Sequence, residues 1–310
     1  DPTHIFIGAQ GTTGVITEIT YKLIKNENHS KLLVIFLKDI KQIPELAHTL
    51  LQNDLETLEV YDDNTLKFAV KFFGSFLKDK GVGGMLRYAW QFMPEFFMVL
   101  TGGMPKLIVL AEFVSDNEEG LEREAKIAQD RIKKLKLKTR ITKNKEERDK
   151  YLSIRRDSFK LLSDHSKALR TAPFIDDICV PVEKLPEYLP ELTGILDKRK
   201  ILYTIAGHLG NGNLHVIPLM NFNDPQTMNI ILELSSEIFQ IVKKYGGTMT
   251  AEHNDGLVRT PYLEMMFGPK IFGAFKEFKE ICDPHNMWNP KKKVGETVEE
   301  MKKFMMRPKS

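Results

Sequence analysis

Cysteine is nearly absent from this chain: two, Cys179 and Cys282, in 310 residues. They lie far apart and match neither a metal-ligand nor an iron–sulfur spacing. That excludes a disulfide framework and fits a reducing compartment, so the expectation is a cytoplasmic protein. Charge of one sign is lacking too. Lys and Arg number 45 against 42 Asp and Glu, and a net charge of +3 is too small a bias for a nucleic-acid partner. The basic stretch 126–150 has no interleaved aromatics on which bases would stack, and it reads as a solvated helix face. No apolar run reaches the roughly 18 residues of a bilayer-spanning helix, and no low-complexity linker divides the chain. What remains, 42% hydrophobic and 28% charged, is an ordinary globular composition for one large or two modest domains.

Histidine, glycine and asparagine are present where chemistry gathers. Gly207-His208-Leu209-Gly210-Asn211-Gly212-Asn213-Leu214-His215 carries two of the eight histidines, and Ala251-Glu252-His253 adds a third beside a glutamate. A straight strand would hold His208 and His215 roughly 23 Å apart and on opposite faces, because their spacing is odd. Asn211-Gly212 readily takes the positive φ angles of a two-residue type I′ turn. A chain doubling back there makes neighbouring strands of 201–208 and 215–220, with both imidazoles near the turn. Spacing alone leaves two readings open. One is a His₂Glu metal site with an open position, Glu252 being the third ligand. The other is an ordinary Asn-Gly hairpin whose histidines are surface or packed residues.

In chain order, residues 4–24 read as two strands around Gly8-Ala9-Gln10-Gly11-Thr12-Thr13-Gly14. Val15, Ile19, Tyr21 and Leu23 alternate with Glu18, Thr20 and Lys22. A glycine at every third position lets a backbone approach a phosphate or a ring closely. This is not the dinucleotide fingerprint, though, and a plain loop is the alternative. Then come strand 32–37, helix 43–51 and strand 55–61, followed by strand 106–114, helix 118–135 and strand 138–142. Two such units predict an α+β fold: a ferredoxin-like layer, an antiparallel sheet covered by helices. Strand 177–182, helix 185–198, strand 201–206 and helix 225–245 extend it. The stretch 72–100, rich in Phe, Trp and Met, reads as buried helical packing, or as a lid or a patch for a membrane or partner. A helical region from Pro261 ends at Asp283-Pro284, where proline disfavours helix in the residue before it. Asn289-Pro290-Lys291-Lys292 and a basic tail follow.

Taken in this order, the stretches resemble the FAD-linked oxidase family related to vanillyl-alcohol oxidase, in the branch of D-lactate dehydrogenase, the glycolate oxidase FAD subunit and D-2-hydroxyglutarate dehydrogenase. Residues 8–17 match that family's Gly-Ser-Glu-Gly-Thr-Leu-Gly-Ile-Ile-Thr segment along the flavin. Asp177-Ile178-Cys179-Val180-Pro181 matches its Asp-Val-x-Val-Pro strand. Residues 207–215 match its His-x-Gly-Asp-Gly-Asn-x-His motif, Glu252-His253 through Gly256 its Glu-His-Gly-x-Gly motif, and Asn289-Pro290 its closing Asn-Pro-Gly-Lys.

The resemblance implies FAD as cofactor, with Gly8, Ala9, Gly11, Thr12, Gly14, Ile16, Asn213 and Asn289 along it. It implies a divalent metal, zinc or manganese, on His208, His215 and Glu252, with His253 as the active-site base. Arg155 falls where the family holds the substrate carboxylate, which a guanidinium fork suits; Arg156 and Arg170 are the alternatives. Neighbours in an extended segment point to opposite sides, so Glu252 would face the metal and His253 the substrate. The implied reaction oxidises a small D-2-hydroxy acid to the 2-oxo acid, with hydride passing to FAD. The electron acceptor is a quinone, an electron-transfer flavoprotein or a separate subunit, and the expected location is cytoplasmic, with a peripheral position at the inner face of the membrane as the alternative.

Four departures leave the substrate open: Asn211 for aspartate, Asn254-Asp255 for Gly-x, Ile217 for a polar asparagine and Lys291 for glycine. The family's FAD pyrophosphate loop precedes the Gly8 segment and is not in this sequence. The expected division is therefore 1–27 as the closing segment of an FAD-binding domain, 28–245 as the cap or substrate domain, and 246–310 as an active-site and return segment. Opening at Asp1, the chain reads as one entered partway through, its FAD-binding half in cis or on a separate subunit. Alone it is expected to hold FAD weakly or not at all. The competing functions are a non-catalytic metal-binding cap subunit that docks a separate FAD subunit, and a flavin-independent metallohydrolase.

Overall fold

The computed structural model describes residues 3–71, 103–165 and 169–305, and the aromatic stretch 72–100 lies outside the described residues. The chain divides into two compact units. One, the sheet unit, comprises Asn26–Ala172 and Pro181–Met220. The other, the terminal unit, comprises Asp1–Lys25, Pro173–Val180 and Asn221–Ser310.

Among the described residues eight strands are numbered in chain order: β1 His29–Leu37, β2 Thr57–Asp62, β3 Leu107–Ser115, β4 Lys138–Ile141, β5 Arg170–Thr171, β6 Ile178–Cys179, β7 Leu202–His208 and β8 Asn213–Met220. Of these, β6 belongs to the terminal unit. In the sheet unit the order is β4-β1-β3-β2-β7-β8-β5, and every neighbouring pair is antiparallel. With helices α1 Ile43–Leu50 and α3 Glu118–Arg131, the first four strands form a β-α-β-β-α-β layer of order 4-1-3-2, the expected ferredoxin-like arrangement, and a further helix, α2 Asp63–Lys71, follows β2.

Strand β1 does not alternate because both faces of the sheet are covered. Leu32, Val34 and Phe36 join Tyr61, Ile108 and Leu110 in a core closed by Leu66 of α2 and by Tyr151 and Ile154 of α4, Lys145–His165. Leu33, Ile35 and Leu37 alternate to the other face and are fully buried. There α1, α3 and α5, Leu185–Lys198, present Leu46, Leu121, Ala125, Tyr188 and Leu192. The entry to α3 is set by Asn117, whose side chain accepts the Gly120 N–H, with Glu118 and Glu119 in the first turn.

The terminal unit departs from expectation in three places. Thr3–Phe6 is one helical turn, and no described strand pairs with 15–24. Val15, Ile16, Ile19, Tyr21, Leu23 and Ile24 are 55% to 87% exposed. Alternation specifies a strand only where a neighbour supplies N–H and C=O partners, and none of the described residues does so here. Strand 177–182 shortens to β6 because Pro181 has no N–H for a ladder, and a 3₁₀ turn starts at Val182. The stretch 221–245 groups with the chain ends instead of with the sheet: α6, Thr227–Lys244, packs on Pro173–Ile175 and on the short helix Leu263–Phe267. Its Phe239 meets Tyr262 edge to face at 5.1 Å. Helices α7, Pro269–Cys282, and α8, Val298–Met305, complete the unit, and Met301 of α8 is buried. Among the described residues, no helix is long and apolar enough to cross a membrane.

Candidate functional site

The candidate residues fall into a group on each unit. On the sheet unit, β7 and β8 form a hairpin in which Ala206 faces His215 and His208 faces Asn213. Opposed residues of an antiparallel pair share a face, so the odd spacing of the two histidines now puts them on one side as diagonal neighbours. Their rings meet edge to face at 5.3 Å. The connection differs from the expected type I′ turn. It runs over four residues, a 3₁₀ turn Leu209–Asn211 followed by Gly212, and within 209–212 only Gly212 is left-handed, at φ 68°. Leu209 is buried, so packing as well as the Asn-Gly pair shapes the turn. Gly207 is required for another reason: a Cβ there would lie 2.2 Å from the Asn213 carbonyl oxygen.

His208 is also opposite Glu59 of β2. Its Nδ1 lies 2.7 Å from Glu59 Oε1, and Arg155 Nε on α4 lies 2.7 Å from Glu59 Oε2. Thus the structure separates the three arginines: Arg155 joins the His208 group, while Arg156 and Arg170 are exposed. Glu59 is only 8% exposed. Sequence reasoning passed over it, and the one available signal was a carboxylate between Leu58 and Val60 in an apolar strand.

On the terminal unit, the centre is Asp177, a fully buried residue at φ 76°. Its carboxylate accepts the Thr250 hydroxyl at 2.8 Å and three successive N–H groups: Ala251 at 2.9 Å, Glu252 at 3.1 Å and His253 at 2.9 Å. Burial pushes this carboxyl up, but the N–H and hydroxyl donors outweigh it and hold its pKa below the usual value. Collecting three consecutive N–H groups on one carboxylate bends the segment. Glu252 and His253 therefore do not point to opposite sides as expected of an extended pair. His253 Nε2 lies 3.1 Å from Glu252 Oε1, and its Nδ1 lies 3.2 Å from Asp176 Oδ2. Ligand atoms of Asp177, Glu252 and His253 come within 4.8 Å of one another. Asp177 is committed to the backbone, which leaves Glu252 as the carboxylate suited to a cation. The sequence matched Asp177 to a strand motif, and its role as the acceptor for residues 250–253 had no local signal.

The glycine loop is held by the far end of the chain. Asn289 Nδ2 donates to the Gln10 carbonyl at 2.6 Å, and Gln10 Oε1 accepts the Gly256 N–H at 3.2 Å. Buried Lys279 donates to the carbonyls of Thr12 at 2.8 Å and Trp288 at 2.7 Å and pairs with Asp283. Beside the loop opens a cavity of about 590 Å³, lined by Ile7, Gly8, Thr12, Phe267, Phe275 and Phe278. The Asn254-Asp255 departure from the family motif is taken up here: Lys293 Nζ reaches Asp255 Oδ2 at 2.6 Å and Asn254 Oδ1 at 3.0 Å. Gly8 leaves room for Asn254, whose Oδ1 would lie 2.8 Å from a Cβ at that position.

These residues fit the two implied groups unequally. His208 and His215 on the sheet unit, and the Glu252 carboxylate on the terminal unit, are each of a ligand type that zinc or manganese accepts. A loop with left-handed Gly8, Gln10 and Gly11 beside an apolar cavity of ring-binding size fits the edge of a flavin. Ile16, assigned to the same cofactor, is 62% exposed, whereas Asn213 is buried on the sheet unit. No strand–glycine loop–helix cradle for a pyrophosphate occurs among the described residues.

Comparison with known proteins follows the same lines. Residues 26–293 match the family described as FAD linked oxidases, C-terminal domain. D-2-hydroxyglutarate dehydrogenase of Escherichia coli is 33% identical over 144 residues, 46% of this chain and 14% of that protein. The protein of that name from Pseudomonas putida is 26% identical over 295 residues, 93% of this chain and 27% of its own. Glycolate oxidase subunit GlcD of Bacillus subtilis is 26% identical over 296 residues, 94% of this chain and 57% of its own. The chain thus spans between 14% and 57% of the length of these relatives. Among solved structures, 4-ethylphenol oxidase from Gulosibacter chungangensis superposes with a TM-score of 0.62 at 14% identity, covering 89% of this chain and 55% of that one. p-Cresol methylhydroxylase superposes with a TM-score of 0.61 at 14% identity, covering 88% and 54%. At that identity the likeness concerns the fold.

Proposed function

The chain belongs to the family of FAD linked oxidase C-terminal domains, and from that premise we propose that it is the substrate- and metal-binding part of a flavin-dependent dehydrogenase. The substrate class is a D-2-hydroxy acid, oxidised to the 2-oxo acid. The observation that carries this reading is the pairing of His208 and His215 on one face of the sheet, beside an arginine suited to a carboxylate. The names of the relatives, D-2-hydroxyglutarate dehydrogenase and glycolate oxidase subunit, support the substrate class.

In this reading His208, His215 and Glu252 hold a divalent ion, zinc or manganese. Gly8, Ala9, Gly11, Thr12, Gly14, Ile16, Asn213 and Asn289 line the flavin. When bound, the ion supplies Lewis acidity and the flavin a hydride acceptor. Arg155 binds the substrate carboxylate through its fork of donors. His253 accepts the hydroxyl proton at Nε2, for which it must leave its contact with Glu252 Oε1, while Asp176 keeps hold of Nδ1. Asp177 keeps Glu252 and His253 in place through their backbone N–H groups. The electron acceptor is a quinone, an electron-transfer flavoprotein or a further subunit, in a cytoplasmic setting.

The test is anaerobic flavin reduction by a panel of D-2-hydroxy acids, with the chain joined to its FAD-binding half. Bleaching by at least one D-acid, lost by at least 100-fold in His253→Ala while flavin stays bound, is the expected result. A flavin that no hydroxy acid reduces, on a protein that still binds zinc, would favour a non-catalytic metal-binding cap subunit instead.

A further inference from the structure

We propose that Glu59 is a positioning residue, one carboxylate that orients both the His208 imidazole and the Arg155 guanidinium. The inference rests on the proposed role of His208 as a metal ligand. Strand β2 places Glu59 opposite His208, with Oε1 2.7 Å from Nδ1 and Oε2 2.7 Å from Arg155 Nε. An ionised carboxylate only accepts hydrogen bonds, so a neutral imidazole on Oε1 carries its proton on Nδ1. The lone pair is then on Nε2, the ring nitrogen that does not face Glu59. This is the arrangement by which a carboxylate behind a ligating histidine selects its tautomer and ring orientation. Arg155 on the second oxygen compensates a charge that is costly to bury alone. The same carboxylate that aims the ligand thereby fixes where the substrate anchor stands, so metal and substrate positions share one reference point.

The isosteric variant Glu59→Gln tests this sharply. The fixed positive charge of Arg155 favours the amide oxygen on its side, so the amide NH₂ is presented to His208 Nδ1. The ring must then carry its proton on Nε2. In the metal-free 310-residue chain at mildly alkaline pH, ¹⁵N spectra of His208 are expected to show Nδ1–H in the parent protein and Nε2–H in Glu59→Gln. Calorimetric titration with Zn²⁺ is expected to show affinity weakened by about 10- to 100-fold in the variant. An Nε2–H imidazole at His208 in the parent protein would overturn the proposal, whether or not the variant folds. So would a variant that keeps both the parent spectrum and the parent zinc affinity. If the parent chain binds no zinc, the metal reading fails, and the spectra still decide the role of Glu59.

Discussion

Three consecutive N–H groups on the Asp177 carboxylate show how a single side chain shapes the segment that carries Glu252 and His253. Remove it, and buried donors lose their acceptor. Asp177→Ala is therefore expected to lower stability by about 2–4 kcal/mol in urea unfolding. Its pH dependence has a definite sign. Because the folded pKa lies below the ordinary value, the carboxylate's contribution is present above the unfolded pKa, near 3.8, and is lost as pH falls through the depressed folded value. Acid unfolding of the parent chain should accordingly be steeper than that of Asp177→Ala below about pH 4. Equal slopes would show that Asp177 titrates alike in both states. The residue was visible in the sequence as part of a strand motif; its partners, more than seventy positions away, were not.

At the scale of elements, helices and strands with a strong pattern were legible. The periodicity over 185–198 and the apolar run at 32–37 correspond to α5 and the centre of β1 because each pattern matches a surface that the fold buries. The hairpin was legible as a reversal but not as a turn type, since the buried side chain of Leu209 helped to set the loop. Residues 15–24 have a strand pattern without a described partner, and pattern alone cannot supply one. The start of α2 carries a second titration effect of opposite sign. Asp62 accepts the N–H of Thr65 at 2.8 Å and its hydroxyl at 2.7 Å. Burial nonetheless raises its pKa to about 7, the Thr65 donors and the Ile205 N–H offsetting only part of the rise. A raised carboxyl favours folding fully below the unfolded pKa near 3.8, and that contribution is lost as pH rises through about 7. Between these values Asp62→Asn is expected to flatten the fall in stability with rising pH, read from melting temperatures at a series of pH values. An unchanged slope would mean that another group carries the effect.

In the whole molecule, the terminal unit unites segments from both ends of the chain. Lys279 is the tie: one buried ammonium serves the Thr12 carbonyl of the glycine loop, the Trp288 carbonyl and Asp283. Burial pushes the Asp283 carboxyl up, but the Lys279 hydrogen bond and the N–H groups of Met287 and Trp288 hold it down to about 2. Lys279→Met leaves these acceptors unmatched, and faster amide exchange over residues 8–14 is the expected consequence, measured by mass spectrometry. Exchange unchanged there would show that Asn289 and Gln10 suffice to hold the loop.

By itself, the sequence determined the ferredoxin-like layer, the family and the pairing of His208 with His215, because these follow from local periodicity, ordered motifs and a short reversal. Tertiary structure alone decided the partners: Glu59 behind His208, Arg155 beside that same Glu59, and Asp177 beneath Glu252 and His253. It also decided that Asn254 and Asp255 are answered by Lys293. A charged side chain carries no periodic signal of its own. Its place is set by which strand lies opposite, and that is fixed only when the sheet assembles.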